Sequence, residues 1–120
     1  ANANQNISVT GEDLEGLNLN FTMGLYQKAG EWYPGKGAQI NADNECLIFF
    51  GHNTDNLSYL GAEISIELGK EHEKHTFNVP TVVSIPAGVP YSPIVCDRVD
   101  KPYRVMRVGL GPRHKSTWVE

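Results

Sequence analysis

The stretch GAEISIELGKEHEKHTF, Gly61–Phe77, decides the fold. Ala62, Ile64, Ile66 and Leu68 alternate with Glu63, Ser65 and Glu67. That period of two leaves one face apolar and one polar, as a half-buried strand requires. A helix needs apolar positions three and four apart, and no long window of the chain repeats them at that spacing. The charged tip Lys70–Lys74 turns the chain and His75–Val79 returns it, which predicts an antiparallel hairpin.

The same period continues on either side. Asn18–Gln27 alternates Leu19, Phe21, Met23 and Leu25 with polar or small neighbours, and Asn44–Phe50 is dense enough in apolar residues to be buried on both faces. Thr81–Ile85, Ile94–Arg98 and Tyr103–Leu110 complete the strand set, with the Pro-rich turn Pro86–Pro93 between the first two. Lys28–Ala38, rich in Gly, reads as a loop, and its Gly35-Lys36-Gly37 lacks the spacing and following helix of a phosphate-binding loop. Seven or eight short strands separated by frequent turns predict an all-β sandwich or barrel. Residues 1–16, polar and without a clear core pattern, read as an N-terminal arm outside a barrel domain of residues 17–120.

Composition bounds what such a domain can do. The 120 residues are 40% apolar, enough for one core and too few for two. Ten Lys and Arg against 14 Asp and Glu give a net charge of −4, opposite to the basic footprint that nucleic acid requires. The longest apolar runs fall far short of the ~20 residues of a membrane-spanning helix. Neither nucleic acid nor membrane is therefore expected as a partner. With no basic and apolar leader visible at its start, the chain is assigned to the cytoplasm, unless a leader has been removed. Cys46 and Cys96 match no paired zinc signature and read as buried free thiols.

The candidate chemistry centres on Glu45, a carboxylate that opens the most apolar strand, where burial demands a partner. If that strand already runs from Gln39, alternation sets Gln39, Asn41 and Glu45 on one face; otherwise Gln39–Asn44 is an ordinary polar loop. Glu63 belongs either to a solvated stripe or to a pocket. His75 shares the predicted inward face of Phe77 and Val79, as a satisfied core histidine or as a pocket group able to move a proton near neutrality. No nucleophile motif of the Gly-x-Ser-x-Gly kind is present.

Thr81–Pro93, TVVSIPAGVPYSP, resembles the second motif of the cupin superfamily, in which a strand runs into Pro-x-Gly-x-Pro and then a metal-binding His. Gly61–Phe77 is similar to the hairpin that precedes it. NECLIFFGHNTD, from Asn44, is similar to the end of the first motif, where the family carries His-x-His, then Glu, then an apolar strand. The resemblance covers roughly Phe21 to Gly111 and implies an antiparallel jelly-roll β-barrel. It places Glu45 on the family's glutamate, Gln39 and Asn41 where the His pair stands, and Tyr91 where the second-motif His stands, so three of the four ligand positions depart from the pattern.

Amide and carboxylate oxygens are poor substitutes for imidazole towards a transition metal. They make a hydrogen-bonding cup instead, with two amides, one carboxylate and one phenol. The expected function is therefore binding of a polar small molecule, such as a sugar, hydroxy acid or nucleoside fragment, by Gln39, Asn41, Glu45, Tyr91 and Glu63, with no cofactor and no assigned metal ligand. The alternatives are a metal-independent epimerase or isomerase, with Tyr91 as acid and His75 or Glu45 as base, and a dioxygenase or lyase holding a divalent metal through His52 or His75. Edge strands of a small jelly roll need covering, which predicts a homodimer.

Overall fold

The structure, a computed structural model, describes residues 3–33, 37–52 and 55–119. Residues 34–36, within the predicted loop and including Gly35 and Lys36, lie outside the described residues. Eleven strands are described: β1 Ala3–Val9, β2 Asn20–Tyr26, β3 Gly30–Glu31, β4 Ala38–Asn41, β5 Glu45–Gly51, β6 Ala62–Leu68, β7 Glu73–Phe77, β8 Thr81–Ile85, β9 Tyr91–Val99, β10 Tyr103–Gly109 and β11 Ser116–Val119. One 3-10 turn, Gly11–Leu14, follows β1. The five-stranded first sheet runs β1-β2-β10-β5-β8, and the second runs β11-β4-β9-β6-β7, with β3 on the side of β9. Every pairing is antiparallel, the arrangement predicted from the alternation. Among the described residues no helix is long and apolar enough to cross a membrane.

The core lies between the two sheets. Phe49 and Tyr103 from the first meet Ile64, Ile66 and Cys96 from the second, all fully buried. Tyr26 stacks between Trp32 and Tyr103, at ring distances of 4.6 and 5.3 Å, and Phe77 meets Phe49 edge-on. Cys46 and Cys96 are free thiols on opposite sheets, and burial pushes both up from the usual thiol range, away from nucleophilic use. Gly51 closes β5 against the Tyr59–Leu60 backbone; a Cβ there would run into the Tyr59 carbonyl, which cannot swing aside as a side chain tip can. Gly51→Ala is accordingly expected to cost ~1–3 kcal/mol in denaturant unfolding, the usual penalty of overpacking.

Three readings need correction. The segment treated as an arm is part of the barrel, because β1 pairs along β2 and becomes the edge of the first sheet. Its inward residues, Asn6 and Ser8, are polar and line a cavity, so no apolar alternation marked it as a strand. Second, Gln39 and Glu45 do not share one strand: β4 belongs to the second sheet and β5 to the first, with Ala42–Asn44 turning between them. Third, the predicted return strand is displaced towards the hairpin tip, so Val79 lies beyond β7 and is 51% exposed.

Candidate functional site

The turn between β4 and β5 brings the inward faces of both sheets together. Gln39 and Asn41 enter from β4, Glu45 from the start of β5 and Tyr91 from the start of β9, and all four are buried. The Pro86–Pro90 turn holds this corner from outside: the Gly88 amide donates to the Asn41 carbonyl at 3.0 Å, and the Ala87 amide to Asn44 Oδ1 at 2.9 Å. Inside, the Tyr91 hydroxyl reaches Asn41 Oδ1 at 3.1 Å and Gln39 Oε1 at 3.3 Å. Ser116 of β11 donates to the same Gln39 oxygen. Burial and the nearby Glu45 carboxylate raise the Tyr91 hydroxyl well above the usual phenol range. It remains a neutral donor at physiological pH.

The side chain of Glu45 is 2% exposed, and its Oε2 lies 3.0 Å from His114 Nδ1. Arg107 Nε lies 3.9 Å from the same oxygen, too long for a hydrogen bond but close enough for strong Coulomb attraction. Arg107 Nη2 donates to Thr22 Oγ1 at 3.1 Å, and that hydroxyl lies 3.2 Å from Ser8 Oγ. A polar line thus runs along the inner face of the first sheet from β1 to β5. Glu45 Oε1, Arg107 Nε and Asn41 Nδ2 are buried without a hydrogen-bond partner.

These groups border a cavity of about 170 Å³. Gln39, Glu45, Tyr91 and Arg107 form its polar side, while Tyr26, Trp32 and Tyr33 form an aromatic wall. Asn41 faces a more open cleft behind it, beside His114 and Ser116. The structure thus brings together four of the predicted residues.

The other predicted residues lie elsewhere. Glu63 is on the outer face of β6, where its Oε2 accepts from Arg98 at 3.2 Å. His75 has the same facing as Phe77 but sits nearer the hairpin tip. Its side chain is 46% exposed and lies 3.2 Å from Glu73. It is neither a core histidine nor a cavity group, because β7 is the edge of its sheet and the core stops at Ile66 opposite it on β6. His52 is exposed just past β5. Arg107 and the aromatic wall went unread, although Tyr103, Val105 and Arg107 alternate along β10, so an arginine at an inward position was the available signal. Nothing in the sequence marks His114, which follows the Gly111–Arg113 bend.

By sequence, neither a protein family nor any curated protein matches the chain. By structure it superposes on oxalate oxidase, with a TM-score of 0.64 and 8% identity over 98% of this chain and 56% of that one. A second oxalate oxidase structure, in complex with the substrate analogue glycolate, matches at the same TM-score, identity and coverage. Oxalate decarboxylase from Bacillus subtilis at pH 4.6 gives 0.65 and 7%, over 98% of this chain and 28% of that one. The chain has the cupin fold. It spans about half of the oxidase and less than a third of the decarboxylase.

At the cupin metal position this chain's residues do not fit a transition metal. Among the described residues no three His, Cys, Asp or Glu converge. Gln39 Oε1 and Asn41 Oδ1 already accept from Tyr91, the phenol keeps its proton, and the one carboxylate faces the Arg107 guanidinium. Such a set lacks the cluster of imidazoles that Fe, Zn, Cu or Ni selects.

Proposed function

We propose that this cupin-fold chain binds a polar small molecule inside the barrel without the usual transition metal. The observation that carries the reading is the cavity where buried Glu45 Oε1 and Arg107 Nε stand without partners beside an aromatic wall. A buried polar atom left without a hydrogen bond is costly, and a ligand that bonds to both atoms recovers that cost. The ligand therefore carries a donor for Glu45 and an acceptor for Arg107.

Size narrows it further. A cavity of ~150 Å³ accepts a molecule such as benzene, so about 170 Å³ suits a hydroxy acid or a single small sugar ring and excludes whole nucleotides. The glycolate held by the oxalate oxidase neighbour is within that size. An epimerase- or isomerase-type reading keeps Tyr91 as acid and Glu45 as base, because both border this cavity; His75 has no place in it.

A thermal-shift screen of small hydroxy acids, dicarboxylates including oxalate, and monosaccharides tests the proposal. A ligand at about one hundred times its Kd is expected to add ~2.7 kcal/mol of stability. The gain should disappear in Glu45→Gln and in Arg107→Met. If no compound raises the melting midpoint, or if the gain survives both substitutions, the cavity is not the binding site.

A further inference from the structure

The outer faces of the two sheets differ in kind. On the second sheet, β6, β7 and β9 present Glu63, Glu67, Lys74, Asp97 and Arg98, an ordinary solvated surface. The first sheet does the opposite. Ile7, Met23, Met106, Ile48 and Val82 stand opposite one another on five adjacent strands, forming an unbroken apolar row from edge to edge. Leu25 and Phe50 flank it on one side, and Phe21, Val108 and Cys46 on the other. Ile7 is 65% exposed and Val82 62%. Alternation along each strand sets this row apart from the core, since Val105, Leu47, Phe49 and Val83 point the other way.

We propose that this face is the interface of a symmetric dimer, with a second copy of the chain as its occupant. Extent is the first support. Strands lie ~4.8 Å apart and same-face neighbours ~6.8 Å, so three rows on five strands cover roughly 500 Å² in projection. That is short of the ~800 Å² per partner of a standard interface, as for a weak dimer, and is as large as the biggest apolar patch that monomers commonly expose.

Symmetry is the second support. The row is centred on Met106, the middle residue of the middle strand. Its ends are complementary: an apolar recess of about 120 Å³ lies beside Ile7, Met23 and Leu25, and Val82 protrudes at the far edge. A two-fold axis along β10 sets β8 of each copy over β1 of the other, as an isologous contact requires. Charge is the third. Arg104 is the face's cation, and it is turned sideways over the Phe50 ring at 4.5 Å while donating to the Gly51 carbonyl, away from the axis. Two copies carrying net charge −4 therefore meet on a face without carboxylates.

Sedimentation equilibrium at micromolar concentrations tests this on the full chain. The expected result is a dimer whose mass halves in Met106→Lys, with far-UV circular dichroism unchanged. Should that variant fail to fold, Ile7→Glu combined with Val82→Glu alters only exposed positions, sets like charges opposite one another across the axis, and is expected to give the same loss. Leu57→Glu, at an exposed apolar site off this face, is expected to remain dimeric. A monomeric wild-type chain, or a folded face variant that stays dimeric, overturns the proposal.

Discussion

Above pH 10 the protein is expected to lose stability steeply. Tyr26, Tyr91 and Tyr103 are 7%, 4% and 0% exposed, and burial is the leading cause of a raised hydroxyl pKa in each. Tyr26 is pushed up from 10.0 to about 12, and the other two are also raised. In the unfolded chain all three ionise near ~10. Between that value and the native pKa the unfolded state holds fewer protons than the native state, so unfolding becomes easier as pH rises. The stabilisation is complete below the unfolded pKa and is lost through the window up to the folded one.

Each such tyrosine lowers stability by ~1.4 kcal/mol per pH unit once its unfolded form is ionised, and three together by ~4 kcal/mol per unit. A domain holding ~5–15 kcal/mol does not survive far into that window. Urea unfolding at stepped pH up to 12 reads the slope, and tyrosinate absorbance reads ionisation. The two should move together. Tyr103→Phe should remove about a third of the slope, and ionisation that clearly precedes unfolding would show that burial is not what holds these protons.

Removing both partners of Glu45 is expected to be the most damaging change at the site. Arg107→Met with His114→Leu leaves a carboxylate with a 2% exposed side chain and no cation or hydrogen-bond donor among its present partners. Breaking buried ion pairs in this way costs ~3–5 kcal/mol. Either substitution alone leaves one partner and should cost much less, so the pair is expected to be strongly non-additive. Adding Glu45→Leu should restore most of the loss, because exchanging a whole buried ionic group for apolar packing is often neutral. Additive losses, or a triple variant no better than the double, would refute a structural role for this trio.

Where apolar residues alternate, the fold was legible: Thr81–Ile85 is a strand over the predicted bounds, and β2, β5, β6 and β10 fall within a residue or two of theirs. The strands that went unread, β1, β3 and β11, are polar, short or terminal and owe their conformation to a neighbour rather than to their own pattern. The cup was legible in its composition and not in its construction. Gln39, Glu45 and Tyr91 do border one cavity, but the premise of a single continuous strand was wrong, and two sheets converge to do what one face was expected to do. His75 shows the limit of period two. Alternation predicts which face a side chain takes, not whether its strand is an edge that leaves it uncovered.

β1 gives this barrel an unusual division of labour. It is paired on one side only, and its Asn6 and Ser8 complete the cavity wall while remaining outside the Phe49–Tyr103 core. Most ligand sites are tuned at the expense of the packing that supports them. Here two edge positions sit apart from the apolar core, so the selectivity of the proposed binding site can be varied on one strand while the rest of the scaffold is kept.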